Sequence, residues 1–414
     1  MLKQDIEEQL AERLVQRIEE TNEYILKSIG EAIQYMSTLK PSQTYKLQQI
    51  LKYGGSYEDI AKELARVSGK NVQEIYKIFE EVAKNDKEFA KQFYKYRGID
   101  FIPYNQDNAL RKQVKSIAKI TAETYLNISS TKGIGLLFRN IDGQMEFKNI
   151  KEAYEDIIDR GILAISQGKE TFSQEMRRII KDVGNNGVVL YDSGRTRRLD
   201  SAVRMNLLDG LRQLSNENAI TFGKEYDADG IEISVHSNPA PDHADIQGRQ
   251  FKNKVPEGEK TDWQKIQDGQ RVKDYKGIYR QLEHSKSGSY RRISECNCYH
   301  KVFAIVLGVS NPEYTDKQLE KIKEENEKGF EYNGKHYTMY EGTQLQRRIE
   351  TEIRKAKDTQ ILAKASGEDF KNVVAESQAR ITALTNRYNE LCKISGLPPQ
   401  KNRMTVSNYR RTKV

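Results

Sequence analysis

Ile231-Glu232-Ile233-Ser234-Val235-His236 is the stretch on which the fold turns. Its side chains alternate apolar and polar with a period of two, the repeat of a β-strand. On either side of it apolar residues recur every three or four positions instead, the repeat of an amphipathic helix. Upstream, Ile6, Leu10, Leu14 and Ile18, continued by Tyr24, Ile25, Ile29, Ile33 and Met36, predict one long helix of about nine turns that stops before Pro41. Downstream, Leu345, Ile349, Ile353 and Ala356, then Phe370, Val373, Ile381, Leu384, Tyr388 and Leu391, predict two helices broken at Ser366-Gly367. The expected fold is therefore mainly α with a small central α+β domain, a long N-terminal helix and a C-terminal helical hairpin.

Four regions follow: a helical one over 1–98, a more broken helical one over 99–223, the small α+β domain over 224–340, and a basic helical hairpin with a tail over 341–414. In the first, Ser56-Tyr57-Glu58-Asp59 and Asn71-Val72-Gln73-Glu74 each offer a cap residue with an acid three positions later, so two short helices are expected. The pair over 56–79 has the outline of a helix-turn-helix, and a DNA-binding regulator is one functional alternative. Glu74 and Glu80 on its reading face would repel phosphate, which favours plain packing of two small helices. In the second region Ala109 to Ile128 and Ile150 to Ser166 have helical spacing, with the Gly-rich TKGIGLLFRNIDGQ between them. A turn at Gly184-Asn185-Asn186-Gly187 precedes Val188-Val189-Leu190-Tyr191, and a further helix runs through Leu199, Val203, Leu207 and Leu211. Asn333-Gly334 supplies the positive φ of a two-residue hairpin, and Thr338 with Glu341 forms a capping box that opens the fourth region.

The chain has 414 residues, of which 37 % are hydrophobic and 31 % charged. A core can cover only part of such a length, and long solvated helices or contacts with neighbours must account for the rest. Lys and Arg number 68 against 60 Asp and Glu, a net charge of +8. The last 70 residues hold 15 of those bases and 7 of those acids, which accounts for the whole excess, and the remainder is balanced. A basic end suits a polyanion, with Arg403, Arg410, Arg411 and Lys413 the candidate contacts to DNA phosphates. A solvated helix pair with a frayed end is the plain alternative. The N-terminus, MLKQDIEEQLAERLV, has the charge pattern of neither a signal nor a transit peptide. No apolar run reaches the ~18 residues that a membrane span requires. Three cysteines are too few for a disulfide scaffold, which points to a reducing compartment. The apolar stripe of the long first helix, with Leu10, Leu14, Ile18, Ile25 and Ile29, is a candidate surface for docking a helical partner.

All five histidines lie between 224 and 340, as do two of the three cysteines. His236 and His243, with Cys296, Cys298 and His300 much later, are candidate metal ligands, because thiolate and imidazole together are what zinc prefers. The segment from Lys252 to Ser289 is polar and Gly-rich and supplies little core of its own, so a structural ion would help to hold the domain. The alternative makes the cysteines small core residues and the histidines hydrogen-bonded ones, and Cys-x-Cys is closer than the usual zinc spacing. A metal-dependent nuclease using the cluster is a further alternative. The zinc deaminase signature and His-Glu-x-x-His are absent. Gly329 to His336 nearly matches a phosphate loop, but with His where Ser or Thr must hold magnesium. Cys298 and His300 as nucleophile and base lack an orienting third group. No catalytic residue is assigned, and the expected protein is not an enzyme.

Val189-Leu190-Tyr191-Asp192-Ser193-Gly194-Arg195 and Leu199-Asp200-Ser201-Ala202-Val203-Arg204-Met205 are followed by Glu232 to His236, Pro241-Asp242-His243 and Gln247-Gly248-Arg249-Gln250-Phe251. Asn297-Cys298-Tyr299-His300, Gly308, Tyr314-Thr315 and Tyr340 to Arg347 come after them. In this order the chain resembles the phage minor capsid protein 2 family, related to the Mu protein F-like head morphogenesis proteins of tailed phages. The resemblance implies a minor head protein incorporated in few copies, located in the virion near the portal and made in the bacterial cytoplasm. It implies the portal protein as a partner, with the major capsid or scaffolding protein and packaged double-stranded DNA as others. His236, His243, Cys298 and His300 match the relatives' His/Cys cluster, and the resemblance points to a metal there. Ala240 stands where relatives carry an arginine.

Overall fold

The computed structural model describes residues 4–40, 56–128, 133–192, 195–284, 291–296, 298–407 and 409–410. In chain order come α1 (Gln4–Ser37), α2 (Ser56–Arg97), α3 (Asn108–Ile128), the strands β1 (Ile134–Arg139) and β2 (Met145–Asn149), α4 (Ile150–Gln167) and α5 (Lys169–Asn186). Next are β3 (Val189–Asp192), β4 (Arg195–Arg198), α6 (Leu199–Glu225), β5 (Gly230–Ile233), β6 (Gln250–Lys252), α7 (Asp262–Gln267), β7 (Val272–Lys273) and β8 (Tyr279–Arg280). The last part holds β9 (Val302–Ile305), α8 (Asp316–Lys328), β10 (Phe330–Tyr332), β11 (Lys335–Tyr337), α9 (Met339–Ala365) and α10 (Lys371–Ser395). The fold is mainly α, with the long first helix and the C-terminal hairpin in place.

One expectation about local structure is corrected here. The two short helices over 56–79 are a single element, because α2 runs unbroken for 42 residues. The cause is Asn71, which does not cap. Its side chain is buried, donating to the Tyr125 hydroxyl at 2.9 Å and accepting from Arg17 at 3.1 Å. With that side chain held by tertiary partners, Gly69 costs the helix only about 1 kcal/mol relative to Ala, which the buried Val67, Ile75, Ile78 and Phe79 outweigh. The helix-turn-helix therefore does not form, and the side chains of Ser56, Tyr57 and Glu58 lie outside the described residues. The Gly-rich stretch between α3 and α4, to which the pattern assigned no element, holds β1, and β2 follows it, antiparallel with Leu137 opposite Phe147 and turning at Gly143 with φ +82°.

The chain divides into two compact units, each drawn from three separate stretches. One takes residues 12–72, 124–204 and 344–414. Its antiparallel sheet has the order β2-β1-β3-β4. Close helix contacts need glycine here: a Cβ on Gly30 would meet the Ala365 Cβ at 2.5 Å, and one on Gly184 would meet the Thr359 Cα at 2.4 Å. The interior also holds a charge network. Arg198 donates to Asp358 at 2.8 Å and to Asp200 at 3.3 Å, and Arg354 also pairs with Asp200. Asn22 joins Asp358 at 3.3 Å while its carbonyl takes the Val188 N–H at 2.9 Å. In the hairpin, Tyr388 on α10 donates to Glu350 on α9 at 3.0 Å, and Gln360 contacts Gln378, so the two helices run antiparallel.

The other unit takes residues 1–11, 73–123 and 205–343. Its three-stranded sheet has the order β6-β5-β9, all antiparallel, and two small ribbons, β7-β8 and β10-β11, stand apart from it. The expected strand is shorter than its pattern, ending at Ile233, and its alternation does not mark an exposed face. Glu232 is buried as well, accepting from Gln250 at 2.8 Å and from the Glu313 N–H at 3.0 Å. The core beneath joins Ile231, Ile233, Ile246 and Phe251 to Trp263, Ile266, Val272 and Leu282. Those last four belong to the polar segment expected to supply little core, so that expectation is corrected: a few well-spaced apolar residues suffice when the surrounding loops are polar. The near phosphate loop is a plain hairpin, with Asn333 at φ +50° and Gly334 at φ +71°.

Candidate functional site

Cys298 and His300 stand immediately before β9, and His243 closes a 3-10 turn after Pro241. The fold brings these three together. The Cys298 sulfur lies 3.3 Å from His243 Nδ1 and 3.4 Å from His300 Nδ1, and the ligand atoms of all three fall within 4.8 Å of one another. Each is buried, between 1 % and 4 % exposed.

The second nitrogen of each ring decides what the first can do. His243 Nε2 lies 2.8 Å from the Arg291 carbonyl oxygen, which can only accept, so Nε2 carries the proton. His300 Nε2 lies 3.2 Å from Gln247 Oε1, and that oxygen is identified by the His236 N–H, which donates to it at 3.1 Å. Nε2 of His300 is therefore protonated too. Both Nδ1 atoms thus turn bare lone pairs on one sulfur. A thiol has a single hydrogen and satisfies one of them at most. A cation satisfies both and the thiolate together, and tetrahedral zinc places sulfur and nitrogen ligands about 3.6 Å apart, close to the spacing seen. Carbonyl partners on the far ring nitrogens are the usual support of metal-bound histidines.

The electrostatics agree. Burial, reinforced by His236 and His243, holds His300 well below the ordinary imidazole range, and burial first lowers His243 and His236 as well. Each shift favours the neutral ring, the form that binds metal. Burial pushes the Cys298 thiol up, and a cation beside the sulfur would favour loss of its proton.

His236 stands edge-on to His300, ring centroids 4.7 Å apart, with its Nε2 buried and without a hydrogen-bond partner. It lies outside the group of three. Cys296 does too: it is exposed at φ +52°, its N–H donating to Asp209 at 2.8 Å. Two supporting residues escaped the sequence reading. Arg291 supplies the carbonyl for His243 and grips Asp242 with two bonds of 2.8 and 2.7 Å, and Gln247 orients His300. Gln247 sits inside a quoted motif, which is the signal that could have marked it, whereas Arg291 lies in none.

Residues 2–393 match the family described as phage minor capsid protein 2. The chain belongs to that family. No curated protein and no solved structure matches it. As a member of the phage minor capsid protein 2 family the chain has a structural role in the phage head, is a virion component, and interacts with other virion components. Among the described residues no helix is long and apolar enough to cross a membrane.

The other candidate residues of this minor capsid protein fall as follows. Leu10, Leu14, Ile18, Ile25 and Ile29 are all buried inside the chain itself. The stripe expected to dock a partner is thus core. Arg410 is exposed and Arg403 half-buried, while Arg411 and Lys413 lie outside the described residues. The tail lies back on the hairpin: Lys357 donates to the Met404 carbonyl at 2.6 Å, Lys364 to the Arg410 carbonyl at 3.0 Å, and the Tyr409 hydroxyl to Gln378 at 3.2 Å.

Proposed function

We propose that the chain is a portal-associated minor head protein, seated inside the shell, whose basic C-terminal segment meets packaged double-stranded DNA and whose neutral remainder meets protein neighbours, the portal first. The family match over residues 2–393 carries the head role. The confinement of the entire +8 to the last 70 residues supports the division of labour. Contacts of that kind bind phosphates without reading sequence and weaken as salt rises. A reconstruction of the portal vertex tests the placement. Density for the chain beside the portal is expected, and heads that lack the chain, mature and immature alike, overturn the proposal.

Within this role His243, Cys298 and His300 are proposed to hold a structural zinc ion. The ion would supply a cross-link between the 3-10 turn at Pro241 and the approach to β9. The convergence of two unprotonated Nδ1 atoms on one sulfur is the supporting observation. Burial of all three supports a structural ion over the solvent-reached ion of a nuclease. Elemental analysis of the purified chain is expected to find one zinc per chain, and plasmid incubated with the loaded protein stays intact. Absence of zinc ends the metal proposal, and nicking that His243→Ala abolishes revives the nuclease.

A further inference from the structure

We propose that metal loading at His243, Cys298 and His300 is coupled to the docking of the first turn of α1. The inference rests on the metal reading above and adds a regulated element to it. Residues 298–301 alternate in what they touch. Cys298 and His300 meet each other and His243, whereas Tyr299 and Lys301 reach two successive residues of α1. The Tyr299 hydroxyl donates to Glu8 at 3.1 Å, and the Lys301 ammonium pairs with Glu7 at 2.6 Å. Lys301 is itself fixed to β5's extension, its N–H donating to the Ser234 hydroxyl at 2.8 Å and its carbonyl accepting the Ser234 N–H at 2.8 Å.

This corner is incompletely satisfied. Glu7 is fully buried and its second oxygen lacks a hydrogen bond. Arg212, also fully buried, stands 3.8 Å from Glu7 with its guanidinium 4.2 Å above the Tyr299 ring, and none of its three nitrogens makes a hydrogen bond. The bonds of Tyr299 and Lys301, the register of 298–301 and charge attraction from the buried Arg212 therefore hold the first turn in place. Such a contact is sensitive to small shifts of the segment that presents it. An ion tying Cys298 and His300 to His243 fixes that segment. The ion would add a second restraint to the Ser234 bonds, and its removal loosens the presentation of Tyr299 and Lys301 to Glu8 and Glu7 without abolishing it.

Hydrogen exchange on the full chain, with zinc bound or after chelator treatment and with metal content measured on each sample, tests the coupling. Amides of residues 6–12 are expected to exchange about tenfold more slowly in the zinc form, while α10 is unchanged. Coupling is reciprocal, so Tyr299→Phe, a mild change that removes one hydroxyl, is expected to weaken zinc binding about fivefold in competition with a chelating dye. Bound zinc with identical exchange at 6–12 and unaltered affinity in Tyr299→Phe overturns the coupling and leaves the metal reading standing. A chain that takes up no zinc overturns both.

Discussion

His243 Nδ1 faces the Cys298 sulfur across 3.3 Å while the same ring's Nε2 is held by the Arg291 carbonyl. The ring is thus presented in the tautomer and charge state of a metal ligand, and only the thiol has a proton to give up.

Zinc binding should accordingly release one proton, from Cys298 alone. The sign follows from the raised thiol: below its pKa each step up in pH makes the thiolate more available, so affinity rises. A slope of about tenfold per pH unit between pH 6 and 8 is expected in competition titrations. A flat profile would show that Cys298 is not a ligand. Cys298→Ser should lower affinity by about 100-fold or more.

Glu19 gives the folded chain a pH dependence of its own. Burial, then the nearby Asp200, pushes it up to about 8 from an ordinary 4.5. The folded state keeps this proton where the unfolded chain has lost it. Its contribution to stability is therefore full below about pH 4.5, declines as pH rises, and is gone above about pH 8. The decline is on the order of a few kcal/mol. Glu19→Gln, neutral throughout, is expected to flatten it in urea melts across pH 5 to 9. Parallel curves for the two proteins would refute the assignment.

Asp358 is fully buried and shared by Arg198 and Asn22. Asp358→Asn leaves a buried guanidinium short of one counter-charge and should cost about 3–5 kcal/mol in denaturant titration. The exposed Lys371–Glu368 pair is the contrast, and Lys371→Ala is expected to leave the midpoint unchanged.

Two glycines separate packing from propensity. A Cβ at Gly69 meets nothing within 4 Å inside α2, so Gly69→Ala should stabilise by about 0.5–1 kcal/mol. A turn between two short helices would make the same change destabilising. At Gly184 the Cβ runs into the Thr359 backbone, and Gly184→Ala should cost about 1–3 kcal/mol.

What could be read from the residues was what local physics decides. The four-residue stripe of α1, the Asn333-Gly334 turn and the capping box of Thr338 with Glu341 (3.0 and 3.1 Å) each need only neighbours in sequence. What misled was local chemistry diverted by distant partners. Asn71 has a cap's side chain, but Tyr125 and Arg17 claim it. The stripe of α1 was visible, yet not what covers it. In the candidate site the histidines and Cys298 were named from their chemistry. The separation of Cys296 from Cys298 follows from a positive φ that spacing does not reveal.

The interleaving of the two units has a consequence for synthesis. The unit that begins at residue 12 also needs residues from 344 onward, and the other cannot close until 343 has been made. Neither therefore finishes early on the ribosome. The first helices emerge with their apolar faces uncovered and wait for the chain's far end, a delay during which they are open to chaperones and to one another. Expression temperature and chain truncation should thus govern the yield of this protein more than any single contact within it.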